Sequence, residues 1–226
     1  MDPQRTLTPE TPDGSTTSVI YFDEDGDTQL LLNPDSDERI IVVSWKAMSL
    51  VSSAWKVMLN PNSPFNEGTR ADRVIPLPDD DPEGLAILLN IAHFRFERVP
   101  TVLTFHGLLH VAILTEKYRA TKMVRPWVRG WLDAAQSWIE EPGYEELLFV
   151  AWAFGDEEMF ETIVLRLVRQ VSINKEGQYA TPAGRILHPC NDIDFFPPEI
   201  IGEARHSEDT TAHDQEIAGV PLPAGG

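Results

Sequence analysis

The chain has 226 residues, room for one large domain or one domain with an appendage, and its 42% hydrophobic and 24% charged content is that of a globular protein. Its one cysteine, Cys190, rules out an intramolecular disulfide framework and fits a reducing compartment. The formal net charge of −18 opposes long-range attraction to nucleic-acid phosphate or anionic lipid, and the longest apolar run, Leu147 to Phe154, is well short of the ~20 residues of a membrane helix.

Residues 1–20 carry Pro, Thr, Ser, Asp and Gly without apolar periodicity and are expected to form a disordered tail. The opening Met1-Asp2-Pro3-Gln4-Arg5 has no signal-peptide character, so a soluble protein of the cytoplasm or nucleus is expected. A hairpin follows: Thr28–Asn33 is rich in leucine, Arg39–Val43 is β-branched, and Pro34-Asp35-Ser36-Asp37 between them is turn chemistry. The continuous apolar character of both strands predicts that both sheet faces are covered. Ser44 is placed to cap a short helix over Trp45-Lys46-Ala47-Met48, and Ser52 or Ser53 a second over Ala54–Leu59 that ends at Asn60-Pro61. After a loop over Asn62–Asp72, Arg73–Leu77 reads as a third strand, and strand, helical crossover and strand together predict parallel pairing.

Asp81 as N-cap, Pro82 at the first helical position and Glu83 in the first turn open a helix whose Leu85, Leu88, Leu89 and Ala92 form one stripe. Thr104 caps the next helix, with Leu108, Leu109, Ala112 and Ile113 apolar, and another runs from about Val124 to Ile139 with Trp127, Trp131 and Trp138 near one face. Beyond Glu141-Pro142-Gly143, the segments Glu145–Phe154 and Asp156–Val168 are expected as a helical hairpin, broken at Gly155 and recapped by Asp156, with Phe160, Ile163, Val164 and Leu167 inside. Ser172–Asp194 reads as irregular, Pro197–Arg205 as a short helix, and 206–226 as a second disordered, acidic tail. Acid gathers at the two ends: residues 1–38 hold 10 acidic and 1 basic side chains, residues 39–139 hold 9 and 12, and residues 140–226 hold 17 and 5.

Four stretches carry a resemblance. They are Val42-Val43-Ser44-Trp45-Lys46-Ala47-Met48-Ser49-Leu50-Val51-Ser52-Ser53-Ala54-Trp55-Lys56-Val57-Met58-Leu59, then Phe65-Asn66-Glu67-Gly68, then Val74-Ile75-Pro76-Leu77-Pro78-Asp79-Asp80-Asp81-Pro82-Glu83, then Leu109 to Tyr118 followed by Val124-Arg125-Pro126-Trp127. In this order, and over residues 21–133, the chain resembles the compact fungal type of BTB/POZ domain. The resemblance implies an α+β fold, with a short β-hairpin and a third strand packed on a cluster of α-helices and an α-helical C-terminal extension. The expected organisation is a tail over 1–20, the BTB/POZ-like domain over 21–139, the extension over 140–205 and a tail over 206–226.

For function, the resemblance implies a non-catalytic protein–protein interaction module without a cofactor and with no nucleic-acid or membrane partner. Phe65-Asn66-Glu67 resembles the "hydrophobic, any, Glu" motif with which BTB adaptors dock the third-type cullin scaffold of a ubiquitin ligase, which assigns the contact to Phe65 and Glu67. The alternative partner is a second copy of the chain, in a self-associating or transcription-linked scaffold whose homodimer contact would lie near Met48, Leu50 and Trp55. The chain departs from the family pattern in having Trp45-Lys46 where many members carry a His-Lys pair, and in lacking the long N-terminal strand and helix of swapped dimers.

Other candidate chemistry is thin. Asp23-Glu24-Asp25-Gly26-Asp27 has the flavour of a calcium loop, but from Asp23 the sixth position is Thr28 and the twelfth Pro34, where Gly and Glu are needed; a polar turn is expected. His106 and His110 share a helix face, but Gly107 stands where a zinc protease places its glutamate. Cys190 beside His188 has no scaffold to lower its pKa. Asp79 and Asp80 are expected to be solvated and Asp81 to cap a helix. Lys117, Arg119, Lys122, Arg125 and Arg129 gather where one helix ends and the next begins, a position that favours cations and also suits an acidic partner, the chain's own tails included. An enzyme with an unfamiliar site is opposed only by the lack of a motif.

Overall fold

The computed structural model describes residues 18–33, 38–60, 74–182 and 184–187, and the structural statements that follow refer to these. The chain divides into two compact units, Met1–Ser137 with Ala153–Gly155, and Trp138–Trp152 with Asp156–Gly226. The class is α+β: helices with a small mixed sheet in the first unit and a helix pair with a short meander in the second.

In the first unit, β1 (Ser18–Tyr21), β2 (Thr28–Leu32), β3 (Arg39–Val43) and β4 (Val74–Leu77) form a sheet in the order β1-β3-β2-β4. The β2–β3 hairpin is antiparallel, with Leu30 opposite Ile41. Two features differ from the sequence expectation. Ser18, Val19 and Ile20 belong to a strand rather than a tail, because Ser18-Val19-Ile20-Tyr21 finds a parallel partner in β3, Val19 against Ile40. The third expected strand, β4, does pair in parallel, but with β2 and not with the strand that feeds the helical crossover. β3 already has β1 on one side and β2 on the other, so β4 adds to the open edge of β2. That edge position accommodates Pro76, which has no N–H to offer a further strand. Burial alternates along β2, while the last three residues of β3 are all buried, so continuous coverage holds only at the end of β3.

Two seven-residue helices follow β3. In α1 (Trp45–Val51) the Ser44 hydroxyl accepts from the Ala47 N–H, and in α2 (Ser53–Leu59) the Ser52 hydroxyl accepts from the Trp55 N–H. Each cap satisfies an otherwise orphan backbone donor. The helix α3 (Pro82–Ala92) opens as expected, the Asp81 carboxylate accepting from the Gly84 N–H at 2.7 Å. It packs against α1, α4 (Phe105–Lys117) and α5 (Thr121–Ala135). Being central, it buries Ile87 and Ile91 as well as the stripe Leu85, Leu88, Leu89 and Ala92. Thr104 caps α4 through the Gly107 N–H. In α5, Trp131 is buried and its indole N–H donates to the Pro100 carbonyl at 2.8 Å, pinning the segment before α4. The helix stops at Ala135, short of the expected Ile139, and passes into a 3-10 turn over Gln136–Trp138.

In the second unit, Trp138 stacks on Tyr144 at 5.8 Å, and α6 (Leu147–Phe154) buries Leu147, Leu148, Val150 and Ala151. Gly155 takes a left-handed conformation at φ +71° and Asp156 caps α7 (Glu157–Gln170) through the Met159 N–H, as the sequence predicts. The buried face of α7 is Met159, Ile163, Arg166 and Leu167; Phe160 and Val164, expected inside, are only half-buried. Arg166 is inside because its guanidinium donates to the Ile139 and Glu141 carbonyls. The stretch expected to be irregular carries a three-stranded antiparallel meander of β5 (Ser172–Ile173), β6 (Tyr179–Ala180) and β7 (Ile186–Leu187). Its first turn is closed by Asn174, whose side-chain oxygen accepts from the Glu176 and Gln178 N–H groups. The expected helix over Pro197–Arg205, the turn over Pro34–Asp37 and the loop over Asn62–Asp72 lie outside the described residues.

Candidate interaction surface

The most unusual surface of the first unit begins where α3 ends. His93 is the C-cap; the Phe94 N–H then donates to the Ile91 carbonyl at 3.2 Å and the Arg95 N–H to the Asn90 carbonyl at 2.8 Å. This pair of bonds is the Schellman closure, which requires a left-handed residue at the position after the cap and is usually made by glycine. Here that residue is Phe94, at φ +59°. A side chain in this conformation costs about 1 kcal/mol or more. No burial offsets the strain, since Phe94 is 70% exposed. Its ring meets Phe96 edge-on at 5.9 Å, and Phe96, itself 49% exposed, meets Trp127 of α5 at 5.6 Å. Three aromatic rings thus stand in a row, bridging the α3–α4 connection and α5.

The row rests on a polar base. The Arg95 guanidinium lies over the Phe22 ring at 5.2 Å, and the other neighbour of Phe22 is the His93 ring at 5.9 Å. Burial, with the nearby Arg98 charge, holds the Arg95 pKa below its usual value. His93 uses both ring nitrogens: Nε2 accepts from the Ser44 N–H at 3.1 Å, and Nδ1 lies 2.9 Å from the Leu89 carbonyl, to which it donates as the Nδ1–H tautomer. Burial holds the His93 pKa below 6.5, outweighing the Leu89 bond and the Asp23 charge that raise it.

A second polar assembly lies inside the unit. The Asp80 carboxylate, its side chain fully buried, accepts from the Tyr118 hydroxyl and from Lys117 Nζ at 2.5 Å. Ser52 donates to the Tyr118 carbonyl at 2.5 Å, and the Trp55 and Tyr118 rings are 5.0 Å apart. Asp80 is therefore a structural hub that joins α2, the end of α4 and the β4–α3 junction, not the solvated residue its acidic neighbours suggest. Its partners at the C-terminal end of α4, a cation and a hydroxyl, compensate its buried charge.

The residues singled out in the sequence distribute unevenly. Of the three residues near which a homodimer contact is expected, Met48 and Trp55 are both 0% exposed and belong to the core, while Leu50 is 70% exposed. Phe65, Glu67, His188 and Cys190 lie outside the described residues. The Asp23–Asp27 stretch is a structural turn, in which Asp23 accepts from the Asp25 N–H and Asp27 accepts from Trp45 N–H and Thr28 hydroxyl. Gly26 is obligatory there, because a Cβ would come within 2.6 Å of the Val42 side chain and 2.9 Å of the Val43 carbonyl. Of the basic cluster, Lys117 is bound to Asp80 and Arg129 to Asp133, while Arg119, Lys122 and Arg125 are exposed. Among the described residues, no group of three His, Cys, Asp or Glu side chains is placed to hold a metal ion, and no helix is long and apolar enough to cross a membrane.

The ring row escaped the sequence reading. Its signal was available: a helix stripe ending at Ala92 with no glycine to close it, followed by Phe94-Arg95-Phe96. Compared with known proteins, the chain matches no family model and no curated protein sequence.

Proposed function

We propose that the chain is a non-catalytic protein–protein interaction module of the BTB/POZ type, and that the Phe94–Phe96–Trp127 row is one of its docking surfaces. The carrying observation is Phe94, an exposed aromatic held in a conformation that glycine would adopt without strain. The left-handed backbone closes α3, a task glycine performs without strain, so what needs a further use is the ring, 70% exposed at that position. Two exposed Phe rings against a half-buried Trp and beside arginine are also the composition of interface anchors.

The finer reading makes the module a substrate adaptor of a cullin-based ubiquitin ligase, with Phe65 and Glu67 contacting the scaffold and the ring row free to hold a substrate. The competing reading, a self-associating scaffold, draws support from Leu50 and from Val57, which are exposed on the consecutive helices α1 and α2. Titration calorimetry against the N-terminal domain of the third-type cullin separates them. The adaptor reading expects sub-micromolar binding (about 8 kcal/mol or more) that Phe65→Ala with Glu67→Ala abolishes. Sedimentation of the free protein tests the other: a concentration-dependent dimer dispersed by Leu50→Ser favours the scaffold. No cullin binding and a strict monomer would remove both.

A further inference from the structure

We infer that His93 is an acid-sensitive latch that ties the start of α1 to the base of the ring row, so that protonating its imidazole loosens both. This deepens the proposed role of that surface by assigning it a regulator, and rests on that reading for its purpose but not for its mechanism.

The mechanism follows from the hydrogen bonds. Nε2 must carry a lone pair, since it faces the Ser44 N–H at 3.1 Å. Nδ1 carries the proton that the Leu89 carbonyl accepts at 2.9 Å. Only the neutral Nδ1–H tautomer meets both demands. A proton arriving at Nε2 turns the acceptor into a donor aimed at another donor. The Ser44 N–H then loses its partner at the residue that caps α1. What remains at that end is the Ala47 N–H on the Ser44 hydroxyl and the Trp45 N–H on Asp27, bonds the proton does not touch.

The same proton acts on the ring row. Residue 93 is the cap immediately before left-handed Phe94. Of the charged groups facing the imidazole, Asp23, on the β1–β2 connection, favours the cation, and Arg95, between Phe94 and Phe96, opposes it. Arg95 is already near Arg98. An imidazolium adds a further cation beside this pair and across the Phe22 ring, repelling the segment that carries the rings. Burial shifts the balance toward the neutral form, so the latch is closed at neutral pH and opens below the ordinary histidine range.

The test needs no partner, and so fails or succeeds independently of the docking reading. Hydrogen exchange by mass spectrometry on the full chain at about pH 7.5 and about pH 5, each corrected for intrinsic exchange, follows residues 40–48 and 92–99 against a reference peptide in α4. Acid is expected to speed exchange in both test segments severalfold relative to the reference. His93→Gln, whose amide oxygen can accept from the Ser44 N–H without titrating, is expected to abolish this acid response. A response equal in the wild type and the variant overturns the latch. A response confined to 40–48 overturns its coupling to the ring row. If the variant does not fold, nitrogen NMR of the wild-type His93 ring decides: a neutral Nδ1–H tautomer with a pKa below 6.5 supports the latch, and an ordinary or raised pKa overturns it.

Discussion

Two aromatic groups in the first unit show opposite uses of the same residue types. Trp55 and Tyr118 lie in the core, tied by Ser52, Asp80 and Lys117 into a network that crosses several elements. Phe94, Phe96 and Trp127 form an equally continuous set of ring contacts, yet expose their first two members and set Phe94 on a strained backbone. The first group is there for the fold; burial does not account for the two exposed rings of the second. Aromatic content alone therefore does not tell core from docking surface; the backbone conformation and the fate of the polar neighbours do.

Four experiments sharpen or break that contrast. Trp55→Ala should be the most damaging, losing about 3–5 kcal/mol in urea denaturation through the cavity it leaves; a loss under about 1 kcal/mol would deny Trp55 its core role. Asp80→Ala should follow, at about 3 kcal/mol, because it strands the buried Tyr118 hydroxyl and frees Lys117. A smaller effect should come from acid. The folded-state pKa of His93 is depressed, so its contribution to stability is present above the unfolded value of 6.5 and is lost as pH falls through the folded value. Wild type should thus lose stability relative to His93→Gln on the acid side of 6.5, and parallel pH–stability curves would contradict the burial argument. Last, Phe94→Gly should leave stability unchanged or raise it by about 1 kcal/mol, while weakening binding to any partner that uses the ring row. A clear loss of stability instead would make Phe94 a structural residue and break the comparison at its centre.

The C-terminal ends of α3 and α4 offer an internal control. Both close with the same hydrogen bonds: at α4 the Arg119 N–H donates to the Glu116 carbonyl and the Ala120 N–H to the Thr115 carbonyl, with Arg119 at φ +51°. Arg119→Gly should relieve strain by a similar amount, about 1 kcal/mol, without touching the ring row. Comparing the two glycine variants separates the backbone term, common to both, from the aromatic term, present only at residue 94.

Local chemistry was legible in the sequence. Ser44, Ser52, Asp81, Thr104 and Asp156 each cap the helix expected of them, because a cap acts within three residues and its partner is the backbone that follows. The two strands of the β2–β3 hairpin and the stripe of α3 were legible for the same reason: propensity and periodicity are local properties. What the sequence could not give was pairing at a distance. The choice of β2 as the neighbour of β4, and the recruitment of Ser18–Tyr21 against β3, depend on which sheet edge is open once other strands have docked. Met48 and Trp55 are buried and Leu50 exposed because α1 and α2 pack in a particular orientation, which a seven-residue helix does not fix by itself. Asp80 became a buried hub and Arg166 a buried clamp only when elements remote in sequence came together, since burial and charge compensation belong to the assembled chain and not to any segment of it.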